Sequence, residues 1–297
     1  MIKKSISYIG ISFLNFLSLL PLPLLYILAT LSHYFIFYII RYRRKIVAEN
    51  LKNSFPEKNT QELHTIEKKY YQYLADLIFE VIKMPRVPRN ELEKRYRFNN
   101  LDLLETHFRN NQSILICSGH YGNWEWGMLA LGYQVSAKAY GIFKPVNNKH
   151  FDDWFYHART RYGNQMVTMR QTLRAVAGTK NDLTMFCFAG DQTPVKHEAR
   201  QWIKFLHQPT PVLTGMEKIA HQTGRPVYYL KVTYIKRGYY EVDCVPVSET
   251  PALTRPLEIT KKTFDILEHS IRQAPPYWLW SHRRWKHKPE HEAWNQA

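Results

Sequence analysis

Residues 114–126 read ILICSGHYGNWEW. Ile114 to Cys117 form an apolar run with no polar interruption, as in a strand buried on both faces. Ser118 and Gly119 close that run, Tyr121-Gly122-Asn123 makes a turn, and Trp124 opens "WEWGMLALGY", a stretch of helical length. Strands that pass into helices through polar turns build α/β sheets, and ligands collect in the crevice beyond the carboxyl ends of such strands. The stretch therefore predicts an α/β fold and puts His120 and Glu125 at the mouth of a strand.

The rest of the chain fits that fold. The run "LTMFCF" at 183–188 predicts a second buried strand, and "AGDQTP" at 189–194 predicts its exit loop, so two polar clusters remote in sequence can meet at one site. Residues 41–96 carry helical spacing up to Met84-Pro85 and Pro88, where helices stop. Helices are expected at 101–109, 148–161, 170–177, 212–223 and 259–273, with Gly224 ending the fourth. The opening strand is expected over 113–117, another at 137–142, and a hairpin turning at Arg237-Gly238. The sum is a mixed central sheet flanked by helices.

From Ser5 to Ile40 there is no Asp, Glu, Lys or Arg, while Leu, Ile, Phe and Tyr are dense. That exceeds the roughly 20 residues needed to span a bilayer. Lys3 and Lys4 precede it, and Arg41, Arg43, Arg44 and Lys45 follow. Positive charge at both ends suits a hairpin that dips into the membrane and returns, broken at Pro21-Leu22-Pro23; a single kinked span is the other arrangement. A buried helix of a soluble protein would rarely run so long uncharged, and no signal-peptide cleavage site is evident. The expected organisation is a membrane anchor over 1–45 and one domain over 46–297.

A formal net charge of +16 asks for an acidic partner: nucleic acid, an anionic membrane surface or a phosphorylated substrate. No RNP, helix-turn-helix or zinc-finger pattern supports nucleic acid. Cys117, Cys187 and Cys244 read as separate thiols in a reducing compartment. The histidines give no His-Glu-x-x-His and the glycines no phosphate loop, so neither a metal nor a nucleotide cofactor is expected.

His120 has the side chain suited to proton transfer near neutral pH, and a carboxylate on its second nitrogen would fix the tautomer and stabilise the imidazolium. Glu125, folding back at the start of the following helix, would be that carboxylate. Such a pair can deprotonate a substrate hydroxyl; the plainer reading makes His120 a cap and Glu125 a solvated first-turn acid. Asn123 reads as a helix N-cap that leaves backbone N–H groups for a carbonyl oxygen, or as a cap alone. Cys117 raises an acyl-cysteine route, against the simpler reading of a core thiol. Thr210, Thr214 and Glu217 can bind an anionic head group at a helix N-terminus or merely cap it. The "SHRRWKHKP" run at 281–289 suits head groups or an acidic carrier protein, or is a solvated basic tail.

His-x4-Glu after a buried strand, "DQTP" after another, "LTGMEKIAHQTGRPVYYLKV" and "YWLWSHRRWK" together resemble the bacterial late lipid A acyltransferases. These are the lauroyl and myristoyl transferases, within the lysophospholipid acyltransferase superfamily. The resemblance runs over nearly the whole chain. It implies an acyltransferase domain over 46–297 that moves a fatty acyl chain from an acyl carrier protein thioester, as co-substrate, to a hydroxyl of a membrane glycolipid. The setting implied is the cytoplasmic face of the bacterial inner membrane. His120 would be the general base and Glu125 its orienting partner; Asn123, Lys144, Arg161, Arg170 and Asp191 would bind substrate.

Two departures bear on those roles. Lys144-Pro145 stands where many members have Arg-Pro, and Lys grips phosphate as a point charge where Arg does so bidentately. Asp191-Gln192-Thr193 replaces the usual "DQD", so the first acid is kept and the second is missing. The alternative acceptor is an aminoacyl lipid or a lysophospholipid.

Overall fold

The computed structural model describes residues 2–289, with side chains from residue 6 onward. The strands are β1 (Tyr96–Phe98), β2 (Ile114–Ser118), β3 (Lys138–Phe143), β4 (Gln165–Thr168), β5 (Thr184–Ala189), β6 (Gln201–Phe205), β7 (Gln208–Val212), β8 (Val227–Lys236) and β9 (Tyr239–Ser248). Seven of them form one sheet in the order β1-β9-β8-β2-β5-β3-β4, and β6 and β7 make a separate hairpin. Pairing is parallel throughout the large sheet except between β8 and β9, the hairpin expected at Arg237-Gly238. The mixed α/β sheet flanked by helices is thus as expected.

Eleven α-helices lie among the described residues. They are α1 (Ile2–Leu19), α2 (Leu22–Tyr34), α3 (Arg44–Ser54), α4 (Thr60–Lys83), α5 (Arg89–Arg95), α6 (Asp102–Arg109), α7 (Trp124–Gln134), α8 (Lys149–Thr160), α9 (Thr172–Gly178), α10 (Gly215–Thr223) and α11 (Glu258–Gln273). A π-helical turn, Phe35–Ile40, extends α2, and Leu22–Ile40 is long and apolar enough to cross a membrane by length and composition. Pro21 separates α2 from α1, where the break was expected.

The scaffold for the N-terminal half is α4. Asn59 caps it, accepting from the Glu62 N–H while the Glu62 carboxylate accepts from the Asn59 N–H, so two backbone donors left over at the helix start are satisfied. Its buried face carries Tyr70, Tyr71, Tyr73, Leu74 and Leu77. Burial of a large apolar side chain contributes about 1.5–3 kcal/mol, so this face is what gathers α1, α2 and α3 onto the domain. The core is continuous from Leu25, Ala29 and Phe37 through α4 to the strands.

Two glycines admit close approaches near the sheet. Gly122 has φ +61°, a left-handed conformation, and a Cβ there would meet the Val232 side chain at 2.6 Å. A Cβ on Gly127 would sit 2.4 Å from the Tyr96 hydroxyl, so that glycine lets α7 lie against β1.

The β6–β7 hairpin departs from expectation: residues 208–212 are strand, and the helix expected over 212–223 starts at Gly215. The hairpin turns on Leu206 (φ 49°) and His207 (φ 64°). Asn-Gly or Asp-Gly normally announces two left-handed positions, and neither is present.

Candidate active site

The parallel pairing of β2 with β5 puts Ser118 opposite Ala189. Two residues further along each strand exit stand His120 and Asp191, so register alone brings them together at the carboxyl edge of the sheet. His120 Nδ1 lies 2.5 Å from Asp191 Oδ1, and the His120 backbone N–H donates to Asp191 Oδ2 at 2.9 Å. The indole N–H of Trp278 donates to the same Oδ2 at 2.8 Å. Asp191 is buried, and the His120 side chain retains 15% exposure.

A carboxylate can only accept, so Asp191 fixes the proton of neutral His120 on Nδ1. The lone pair is then on Nε2, which faces the side-chain amide of Gln192 at 3.0 Å. Burial disfavours the imidazolium, but the charge and hydrogen bond of Asp191 outweigh it and hold the His120 pKa above its ordinary value. Burial likewise opposes the Asp191 carboxylate, yet the His120 charge and three hydrogen bonds push its pKa far below the usual range.

Glu125 does not take the place expected of it. Both its oxygens are held by Arg159, from Nε at 2.7 Å and Nη2 at 2.5 Å. Glu125 lies in the first turn of α7, whose neighbour is α8, and there the guanidinium meets it before the imidazole can. The ring partner of His120 is therefore Asp191, while the Glu125–Arg159 pair stands near enough for both charges to act on the imidazole. Trp124 packs on the other side, its ring 4.9 Å from that of His120.

The remaining expected residues divide. Asn123 is buried and engaged at both ends: its Oδ1 accepts from the Trp126 N–H at 2.9 Å and its Nδ2 donates to Glu80 at 2.7 Å, so it caps α7. Arg161 donates Nη1 to the carbonyls of Met84 and Val87, closing the end of α4. Lys144 and Arg170 follow β3 and β4, exposed on the outer part of the same carboxyl edge. Arg159 was missed although it stands two positions before Arg161. At about 100° per residue, those two positions face nearly opposite sides of a helix.

Other candidates carry structural contacts, while Thr214, at the start of α10, makes no side-chain cap bond. Burial pushes Cys117 up to about 12, which leaves it a core thiol and a poor nucleophile. Thr210 accepts from the Trp285 indole, and the buried Glu217 accepts from the Thr260 hydroxyl. The run at 281–289 is half interior, with Ser281, Arg284 and Trp285 buried and Arg283, Lys286 and Lys288 exposed. At the position of the missing second acid, Thr193 donates its hydroxyl to the carbonyls of Arg283 and Arg284 and its N–H to His282 Nε2. Beside His282 lies an apolar cavity of about 430 Å³, walled by Ile36, Ile40, Leu74, Ile78 and Leu279, with Arg43 on its lining.

A buried strand edge with a carboxylate-steered imidazole can deprotonate an alcohol. Comparison with known proteins places the chain in a family. The family model described as bacterial lipid A biosynthesis acyltransferase matches residues 1–287. The chain is 22% identical over 283 residues to the lipid A biosynthesis palmitoleoyltransferase of Escherichia coli (strain K12), covering 92% of this chain and 89% of that protein. Identity and coverage are the same for a lipid A biosynthesis acyltransferase of Shigella flexneri. Identity is 21% over 290 residues with the lauroyltransferase of the same E. coli strain, covering 96% and 92%. The resemblance in the motifs is thus matched along the chain, which belongs to the bacterial lipid A biosynthesis acyltransferases.

Proposed function

We propose that this acyltransferase moves a fatty acyl chain from an acyl carrier protein thioester to a hydroxyl of a lipid A precursor, with His120 as general base and Asp191 as its orienting partner. The observation that carries the reading is the 2.5 Å contact between His120 Nδ1 and Asp191, which leaves the Nε2 lone pair toward the crevice. The acceptor hydroxyl takes the place of the Gln192 amide at Nε2 and gives up its proton there. Its oxygen attacks the thioester carbonyl carbon, the tetrahedral intermediate expels the thiolate, and the imidazolium returns the proton to sulfur. The Glu125–Arg159 pair borders this reaction and holds the first turn of α7 against α8.

The setting proposed is the cytoplasmic face of the inner membrane. The exposed apolar residues of α1 and α2 meet lipid, and the net positive charge meets anionic lipid and acidic carrier protein. The apolar cavity beside His282 falls within the usual size of ligand pockets, about 300–1,000 Å³, and its aliphatic walls suit a fatty chain.

The test is purified enzyme with a defined acyl carrier protein thioester and a lipid A precursor, with the product read by mass. The wild type is expected to add one acyl chain, and His120→Ala and Asp191→Asn to lose on the order of a hundredfold or more in turnover. Undiminished turnover in folded His120→Ala, or acylation only of an aminoacyl lipid or lysophospholipid, removes the reading.

A further inference from the structure

Residues 277–285 form a strap across the mouth of β2. The Gly122 N–H donates to the Tyr277 carbonyl at 2.9 Å and the Leu279 N–H to the His120 carbonyl at 3.1 Å, with Tyr121 and Trp278 bridged antiparallel between them. The strap is tied down along its length. Asn50 donates to the carbonyls of Trp280 and His282, Tyr70 accepts from the Ser281 N–H, and Arg284 donates to the Pro211 carbonyl. Its three indoles each donate inward: Trp280 to the Pro275 carbonyl, Trp285 to the Thr210 hydroxyl, and Trp278 to Asp191. The first two acceptors are neutral, whereas the third is the carboxylate that holds His120.

We infer that Trp278 is a positioning residue for the His120–Asp191 pair, its indole N–H and the His120 backbone N–H together holding Asp191 Oδ2 so that Oδ1 faces the imidazole. The inference rests on the function proposed above and adds a residue on a remote segment that sets the strength of the base. A carboxylate that gives one oxygen to two donors cannot rotate freely, and part of its charge is already neutralised. Without the indole N–H, Asp191 presents more charge to the ring and is less fixed. The imidazolium gains stability, so the base stays protonated to higher pH, and its geometry loosens.

Several groups surround this pair: Cys117 on β2, Tyr229 on β8, Glu125 and Arg159 on α7 and α8, and His282 and Arg284 on the strap. Cys117 is pushed up to about 12 and Tyr229 well above its ordinary value, in both cases first by burial. Burial brings His282 down to about 4 and Arg284 to about 10, and Glu125 and Arg159 face the ring as an ion pair. Of the groups around the pair, His120 is the one in direct contact with the carboxylate that Trp278 holds, so the His120 ring is where a change at Trp278 is read.

The experiment replaces Trp278 by Phe and, separately, by β-(3-benzothienyl)alanine, which keeps the bicyclic ring and lacks the N–H. For each form, the pH dependence of kcat/KM with an acyl carrier protein thioester and a lipid A precursor is measured. The His120 ring proton is also titrated by NMR. Both variants are expected to lose on the order of tenfold at neutral pH, with the acidic limb and the His120 midpoint raised by about half a unit or more. If the Phe variant does not fold, the isostere decides. A midpoint unmoved or lowered in the benzothienyl form overturns the inference, whatever the rate. His120→Ala run alongside tests the underlying function separately, since its full activity would remove that reading and leave the NMR result standing.

Discussion

At the scale of single residues, the site is a set of buried charges that are each tolerable only with a partner. Glu125 and Arg159 retain 10% and 18% side-chain exposure and share two hydrogen bonds. Removing one partner leaves the other buried and uncompensated, at about 3–5 kcal/mol, while removing both costs much less. Thermal unfolding in detergent is expected to show Arg159→Met well below wild type and the Glu125→Gln/Arg159→Met double variant recovering part of the loss; a double variant no better than the single would reject the pairing as a stability element. Glu80 is a second case. It is fully buried and accepts from Asn123, Tyr26 and Tyr240, so it holds the residue that caps α7. Burial pushes it up to about 7, above its ordinary 4.5, despite those hydrogen bonds. Between those values the folded chain keeps a proton that the unfolded chain releases, so Glu80 stabilises the fold at low pH and that contribution fades as pH rises through 7. Glu80→Gln, neutral at every pH, is expected to flatten the decline of unfolding free energy from pH 5 to 8, measured by urea titration; an unchanged slope would show that Glu80 does not titrate there.

At the scale of elements, what could be read from the sequence followed from periodicity. β2, β3, β5 and the β8–β9 hairpin carry apolar runs or alternation bounded by turn residues, and the structure places them within a residue or two of expectation. β1 and β4, three and four residues long, are too short to show a period. The β6–β7 hairpin hides because its strands contain Pro209 and Pro211 and its turn lacks the usual glycine. The site was legible in part for the same reason. His120 and Asp191 follow two recognisable strands, but only the parallel register of β2 on β5 shows that they are partners. The spacing His-x4-Glu suggests a contact along the chain, whereas the carboxylate that reaches the ring is 71 residues away. Trp278 lies in the "YWLWSHRRWK" run, which marks the segment without showing that its indole reaches Asp191, and Arg159 sits in a segment whose local pattern is that of an ordinary helix.

At the scale of the whole molecule, what the N-terminal helices rest on bears on the choice between a membrane hairpin and a single span. Lys83 donates to the carbonyls of Ser18 and Leu20, Trp154 to Asn15, Tyr26 to Glu80, and Arg237 to the Tyr26 carbonyl and the Thr30 hydroxyl. Arg237 is also paired with Asp76 on α4. The helices are thus fastened to charged parts of the domain along their length, and crossing the bilayer would drag Asp76, Glu80 and Arg237 into hydrocarbon at a cost of several kcal/mol each. Their opposite faces expose Ile9, Phe13 and Phe16 on α1 and Ile27, Leu31 and Ile39 on α2 and its extension. An apolar face outside and a polar fastening inside suit a pair of helices lying in one leaflet, with the domain resting on the bilayer and the site close to its lipid acceptor. Cysteine reporters fused ahead of Met1 and introduced as Leu19→Cys, beside the Pro21 break, separate the arrangements. In intact spheroplasts a membrane-impermeant maleimide is expected to label neither, and in inverted vesicles to label the first. Labelling of the first from outside would mean a single span through α2, and labelling of Leu19→Cys from outside a hairpin that crosses and returns; either would require the helices to leave α4 when the protein meets the membrane.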